Sequence, residues 1–266
     1  MNAGTLKRWT GWLALVVIFS VACAFLANWQ FNRRAEAVDR IQQVITNYDQ
    51  EPVALDVIAK PNSFEAENEW RPVLLEGNFM PEYAVLVRNR PYNGLAGFLQ
   101  LIPFQLISGD IVAVETGWLP TGNEQDSPDV IPLPGKEPRT LIARIRAAEP
   151  SLNRSAPANQ IATLNIEGLI EKAGLTGTIY KKLYVRAGES YTNADLPKLL
   201  GKPALTEGNH LSYAMQWILF AVMAFTALYW AIRKELAAQA LAKNPAVAVK
   251  QKRKKTDADI EDEILG

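Results

Sequence analysis

The stretch EGNHLSYAMQWILFAVMAFTALYWAIRKE, residues 207–235, decides the fold. It contains the chain's single histidine, His210, and an uncharged, mostly apolar run from Leu211 to Ile232. At 1.5 Å per residue this run makes a helix of roughly 33 Å, enough to cross a hydrocarbon core of about 30 Å. We therefore predict a transmembrane helix over residues 210–232.

Polar and aromatic side chains share one arc at the upstream end of this helix when it is turned by about 100° per residue. The arc consists of Asn209, His210, Ser212, Tyr213, Gln216 and Trp217. Side chains such as Gln216 are poorly tolerated against lipid. We expect the arc to face protein, a cofactor or water. One hypothesis is that Ser212, Gln216 and Trp217 pack against the outer half of a first membrane helix.

Composition excludes several classes of function. The chain has 28 basic and 28 acidic residues, so its net charge does not indicate a nucleic-acid partner. One cysteine, Cys23, excludes an intramolecular disulfide, a CxxC thiol centre and a cysteine-rich zinc site. One histidine argues against a hydrolase triad, and no phosphate-binding glycine loop is present. Glu65 and Glu67 are best explained as a solvated loop. We expect a binding protein and not an enzyme.

The N-terminal segment contains a second apolar run, Gly11 to Ala27. Its 17 residues are short for a membrane span and long for the core of a signal peptide. Cleavage near Cys23 and lipidation of Cys23 are the alternatives, although Ser20 stands where a lipoprotein signal has a large aliphatic residue. We favour an uncleaved helix over residues 11–31.

Basic residues predict the topology. Lys7 and Arg8 precede the first span, and Arg233, Lys234 and the cluster Lys252–Lys255 follow the second. Positive charge marks cytoplasmic flanks, and a loop as long as residues 32–209 is exempt from this rule despite Arg33 and Arg34. We predict cytoplasmic tails at residues 1–10 and 233–266, an extracytoplasmic domain at 32–209, and insertion in a bacterial plasma membrane in contact with lipid.

The intervening segment changes from helical to strand-like patterning. The first helix is expected to continue outward through residues 33–48. Six strands are predicted, near residues 73–79, 83–90, 97–106, 110–116, 140–147 and 181–187, with a tight turn at Ser108–Asp110. Residues 121–139 are a proline-rich loop, and residues 165–174 are a short helix capped by Asn165 and Gly174. The predicted class is an α+β membrane protein: two terminal transmembrane helices flank a mainly antiparallel β domain, either a sheet or a small barrel.

Four motifs then resemble the surfeit locus protein family of cytochrome c oxidase assembly factors. They are Trp29-Gln30 followed by Arg33, Gly94 with Gly97-Phe98 before Pro103, GWLP at residues 117–120, and NHLSYAMQW at residues 209–217. The family commonly has glycine and arginine at the positions of Asn28 and Thr116. The resemblance covers most of the chain and includes the layout of two membrane helices around a mainly β domain.

The resemblance implies an assembly factor for an aa3-type oxidase, with subunit I and other assembly factors as partners. It also implies transient binding of heme a, with His210 as the iron ligand. Trp217 is placed to pack on the macrocycle, and Tyr213, Trp29 and Gln30 lie at the same membrane boundary. The alternatives are a permanent accessory subunit of the terminal oxidase and a structural membrane interaction protein without heme binding.

Each of these residues also has a plainer interpretation. Histidine, tyrosine and tryptophan are common anchors at the membrane interface. Gln30 and Gln216 are suited to a hydrogen bond between helices. Gly94, Gly97 and Gly117 are suited to turns and close packing.

Overall fold

The computed structural model describes residues 3–152, 154–157, 159–188, 191 and 197–243. The chain divides into two compact units. A helical unit contains residues 1–37 and 207–266, and a β unit contains residues 38–206.

Two long helices form the helical unit: α1 covers Ala3–Asn47, its last ten residues belonging to the β unit, and α4 covers His210–Lys243. Both are long and apolar enough to cross a membrane. Few side chains in the most apolar stretch of each helix are buried, whereas the core helix of a soluble protein has most of its apolar side chains buried. The predicted continuation of the first helix beyond Phe31 is confirmed, and the second helix runs into the predicted tail as far as Lys243. The remainder of the predicted tail, residues 244–266, lies outside the described residues.

The β unit is built on a closed ring of five strands. The order around the ring is β2 (Pro72–Phe79), β6 (Arg139–Ala147), β8 (Leu183–Ala187), β5 (Ile111–Pro120) and β4 (Gly97–Leu106), which pairs back with β2. Four of these five pairings are antiparallel, and β5–β8 is parallel. The predicted α+β class and mainly antiparallel small barrel are therefore confirmed for this unit.

Three short strands extend the ring. Strand β1 (Val53–Ala54) pairs with β2, β3 (Val85–Val87) pairs with β4, and β7 (Gln160–Ile161) pairs with β3. Strands β1 and β7 were not predicted, since two residues carry no periodicity. The predicted strand at 83–90 is shortened because a 3-10 turn occupies Pro81–Tyr83 and Asn89 has a positive φ of 55°.

Strand β5 runs past its predicted end at Thr116. Opposite Gln100 and Leu101 the register moves from Gly117 to Glu115, which leaves Thr116 as the extra residue of a β-bulge. Gly117 continues the strand at a φ of 142°. Strand β8 begins at Leu183, two residues later than predicted.

Alternating side chains fill the barrel. Leu141, Ala143 and Ile145 of β6 are at most 1% exposed and lie in one cluster with Phe104 and Val114, as the alternation predicted. Burying each large apolar side chain contributes about 1.5–3 kcal/mol.

Two shorter helices and the loops complete the unit. They are α2 (Leu55–Ile58) and α3 (Ile166–Ala173). The Asn165 side chain accepts a hydrogen bond from the Gly168 amide, and Gly174 adopts the left-handed conformation, so both predicted caps of α3 are confirmed. Gly109, with a φ of 90°, makes the predicted hairpin turn, and the predicted proline-rich loop has no regular structure between β5 and β6.

Candidate functional site in the helical unit

His210 is the first residue of α4 and is half-buried. Gly208, two residues earlier, has a φ of 69°, a conformation that favours glycine, and leads the chain into the helix. A Cβ atom at Gly208 would lie 3.7 Å from both Cδ2 and Nε2 of the His210 ring. A side chain at this position would therefore contact that edge of the imidazole.

Gln30 of α1 fixes the His210 ring. Nδ1 of His210 donates to Oε1 of Gln30 at 2.9 Å, and Gln30 is only 9% exposed. An amide oxygen can only accept, so this bond places the imidazole proton on Nδ1. In the neutral ring the lone pair then lies on Nε2, the nitrogen beside Gly208. The pair therefore presents an oriented imidazole nitrogen that can bind a metal centre.

The two helices run antiparallel, since ion pairs and the His210 contact join them at both ends. Arg34 pairs with Glu207 at the end that carries His210, and Arg8 pairs with Glu235 at the other end. These exposed pairs contribute little stability but set the direction of one helix against the other.

A seam of mostly small side chains packs the helices together. Its members recur at alternating spacings of three and four, as in a coiled coil. On α1 they are Ser20, Cys23, Ala27, Gln30, Arg34 and Ala37, and on α4 they are His210, Ala214, Trp217, Ala221, Ala224 and Leu228. Cys23, Ala27 and Ala214 are at most 4% exposed. Small residues let helices approach closely, which brings the His210 ring within reach of Gln30.

The structure separates the predicted site residues into two groups. His210 and Gln30 are in contact, and Trp217 lies on the same face of α4 about two turns from His210. Trp217 packs edge-on against Phe220 with ring centroids 5.7 Å apart. Tyr213 and Trp29 are 50% and 55% exposed, so they lie outside the seam.

The hypothesis that α4 packs through Ser212, Gln216 and Trp217 is wrong for the first two residues, which are exposed. The expected bond between Gln30 and Gln216 is replaced by the bond to His210. The physical reason is side-chain size, because Ala214, Ala221 and Ala224 on the packing face of α4 allow closer approach to α1 than Gln216 would.

Two features were missed by sequence reasoning: Gly208 beside the imidazole and the Arg34–Glu207 pair. A Gly-Asn pair directly before a helix is typical of a turn, so the position of Gly208 beside the imidazole could have been predicted from the sequence. The Arg34–Glu207 pair could not be predicted from local sequence patterns, because the two residues are more than 170 positions apart.

The other motif residues lie in the β unit, where they have packing roles. Trp118 is 6% exposed, and its Nε1 donates to the Arg90 carbonyl at 2.6 Å. A Cβ atom at Gly97 would lie 2.5 Å from the Trp118 ring, and one at Gly117 would lie 2.7 Å from the Lys198 carbonyl oxygen. Gly94 occupies a turn at a φ of 80°. The plainer interpretation of these glycines is confirmed.

The two positions that depart from the family pattern differ in burial: Thr116 is buried and Asn28 is exposed. Thr116 is fully buried and donates through Oγ1 to Oε1 of Gln100 at 2.6 Å. Gln100 in turn donates to the Pro132 carbonyl, which holds the proline-rich loop on the barrel. Asn28 is exposed on α1.

Buried ion pairs hold the β unit together. Glu115 is fully buried and accepts three hydrogen bonds of 2.9–3.0 Å from Arg186. Burial alone would lower the pKa of Arg186, but the Glu115 carboxylate outweighs this and the pKa is raised. Arg90 and Glu149 form a second, bidentate pair. Both pairs lie within the β unit and link its strands and loops.

Comparison with known proteins identifies the family. Residues 17–222 match the model of the SURF1 family. The chain belongs to the SURF1 family. SURF1-like proteins of Mycobacterium bovis and Mycobacterium tuberculosis are each 32% identical over 224 residues, which is 80% of this chain and 80% of theirs.

A yeast relative is also similar. The cytochrome oxidase assembly protein SHY1 of Saccharomyces cerevisiae is 27% identical over 140 residues, covering 50% of this chain and 35% of the yeast protein. The chain is therefore a SURF1-family member related to a protein named for the assembly of cytochrome oxidase.

Proposed function

We propose that this protein is an assembly factor for an aa3-type cytochrome c oxidase and that His210 binds heme a during delivery to subunit I. The observation that carries the proposal is the hydrogen bond from His210 Nδ1 to Gln30, which leaves Nε2 as the free imidazole nitrogen. Family membership and the name of the yeast relative support the oxidase as the target.

The residues present fit a heme. A neutral imidazole is a common axial ligand of heme iron, and the heme supplies the iron centre that accepts this nitrogen. Gly208 leaves the Nε2 edge open, and the exposed rings of Tyr213 and Trp29 offer apolar surface at the same end of the two helices. Half-burial of His210 favours a ligand that is loaded and released over one that is enclosed.

The membrane position follows from the same helices. We propose that α1 and α4 both cross the plasma membrane with cytoplasmic tails, which places His210 at the outer boundary. Subunit I is itself the destination of the heme, so direct contact with subunit I, alone or with other assembly factors, is the proposed route of transfer.

A deletion strain tests this function. Loss of the gene is expected to reduce the aa3 signal in reduced-minus-oxidised membrane spectra, and plasmid-borne wild-type protein is expected to restore it. His210→Ala is expected to restore it poorly while its membrane abundance stays close to wild type, because a half-buried interfacial residue adds little to packing. Trp217→Leu is expected to restore the aa3 signal to a level between those of the wild-type protein and His210→Ala.

Two results would contradict the proposal. Full aa3 content in the deletion strain would exclude a required assembly role. Stoichiometric presence of this chain in the purified mature oxidase would instead indicate a permanent accessory subunit.

A further inference from the structure

The β unit contains a cavity of about 320 Å³ between β1, β2 and the tip of the β4–β5 hairpin. Strand β1 pairs with β2 only at Val73 and Leu74, and β4 joins β2 from Gly77 onward. Between these pairings the edge of β2 is bridged by one bond, from the Ile107 amide to the Glu76 carbonyl. We call this cavity the acidic notch and define it by Leu55, Asp56, Leu74, Glu76, Leu106, Asp110 and Tyr180.

The floor of the acidic notch is apolar, with one buried hydroxyl-bearing side chain. Leu55 is 2% exposed and Tyr180 is 1% exposed. Among the described residues the Tyr180 hydroxyl has no hydrogen-bond partner. Burial, together with the nearby Asp110 and Asp56 carboxylates, raises the pKa of Tyr180, so the phenol stays neutral at physiological pH. Because Tyr180 lines the acidic notch, its hydroxyl is available to a ligand there.

The rim carries three carboxylates, those of Asp56, Glu76 and Asp110. None of the three forms an ion pair with a residue in the described part of the chain. The nearby Lys60 ammonium donates to the Asp56 backbone carbonyl at 2.8 Å. The notch therefore presents negative charge in an apolar setting.

An exposed aliphatic side chain lies beside these charges. Ile107 lines the notch and is 80% exposed, the highest value among the large apolar side chains of the described residues. Exposed apolar side chains beside a cavity are typical of a protein-binding surface. The charge and apolar area together select a ligand that is cationic at its tip and aliphatic elsewhere.

We propose that the acidic notch binds a lysine or arginine side chain from an extended segment of a partner protein, with aliphatic residues on either side of it. The aliphatic stem would lie on Leu55, Leu74 and Leu106, while the cationic head would meet the three carboxylates. The volume suits one long side chain better than a larger molecule, since ligand pockets span about 300–1,000 Å³. This binding is independent of heme and of His210.

Isothermal titration of the full-length protein in detergent with the blocked peptide acetyl-Val-Ile-Arg-Ile-Val-amide tests the proposal. The wild-type protein is expected to bind this peptide and not the matched peptide with glutamate in place of arginine. Glu76→Gln combined with Asp110→Asn should weaken binding about tenfold, since exposed ion pairs contribute a few-fold each. Ile107→Ser should weaken it a few-fold through lost apolar contact.

A matched control removes two carboxylates elsewhere in the unit, with Glu124→Gln and Glu171→Gln, both exposed. This control is expected to bind like wild type, and thermal melting of each variant checks that the fold is intact. Equal binding of the acidic peptide, equal weakening by the control, or no binding of the arginine peptide to folded wild-type protein would overturn the proposal.

Discussion

At the residue scale, the central contact is the bond between His210 and Gln30. An imidazole that binds a metal commonly donates the N–H of its other ring nitrogen to an acceptor that fixes its orientation, and the loss of such acceptors weakens metal binding. Under the proposed function, Gln30 is this acceptor for His210.

Replacing Gln30 tests that role. Gln30→Leu keeps the volume but removes the acceptor, so heme retention is expected to fall about tenfold, less than in His210→Ala. Gln30→Glu keeps an acceptor and is expected to retain heme better than Gln30→Leu. The measurement is the heme-to-protein ratio in purified variants, and equal retention in Gln30→Leu and wild type would exclude a positioning role.

Gly97 tests the packing of the β unit at the same scale. Gly97→Ala would place a Cβ atom 2.4 Å from the Leu119 carbonyl oxygen and 2.5 Å from the Trp118 ring. Overpacking of this kind costs about 1–3 kcal/mol. The matched control is Gly201→Ala, whose Cβ atom meets nothing within 4 Å. Thermal melting followed by tryptophan fluorescence should show a lower midpoint only for Gly97→Ala.

Glu149 gives a prediction for acid stability. Burial raises its pKa, but hydrogen bonds from Arg90 and the Leu164 amide outweigh this and lower the pKa below its ordinary value of 4.5. A carboxylate with a lowered folded pKa stabilises the fold above its ordinary pKa and loses this contribution as pH falls. The stability of the β unit should therefore decline below about pH 4.5. In Glu149→Gln that decline should be shallower, and an identical decline would exclude Glu149 as a source of it.

At the scale of elements, the sequence predicted the features that depend on interactions between residues close in the chain. The caps of α3, the hairpin turn at Gly109 and the alternation in β6 all depend on residues close in sequence. The bulge at Thr116 was not predictable, because it depends on the register between β4 and β5.

The packing face of α4 was likewise not predictable from local sequence. The polarity of Gln216 favoured it as a packing residue, whereas the helices pack through the seam around Ala214. The sequence shows the spacing of Ala214, Ala221 and Ala224 on α4. It does not show which face of α1 packs against them. His210 and Gln30 were both named from the sequence, and only the structure joined them.

Cysteine cross-linking tests this helix pairing. In a Cys23→Ser background, Gln30→Cys with His210→Cys should cross-link readily in membranes under mild oxidation. Gln30→Cys with Leu211→Cys should cross-link poorly, since Leu211 is 44% exposed and lies off the seam. Preferential cross-linking of the Leu211 pair would mean that α4 is rotated from the arrangement described.

At the scale of the whole molecule, the proposed topology places residues 32–209 outside the cytoplasm. In the Cys23→Ser background, a cysteine at Ser108 should react with a membrane-impermeant maleimide in spheroplasts, and one at Thr256 should react only after lysis. Ser108 is exposed in its turn, so burial does not limit the reaction. Labelling of Thr256→Cys before lysis, or a mature N-terminus near Phe25 by mass spectrometry, would contradict two uncleaved spans.

The heme-binding role of the helical unit is tested most directly by one absorption spectrum. The protein is purified in detergent from cells that make heme a, beside His210→Ala prepared in the same way. The wild-type protein is expected to show a heme a spectrum, and His210→Ala is expected to lose it at unchanged protein yield. The same heme-to-protein ratio in both preparations, or no heme a in the wild-type protein, would contradict heme binding by His210.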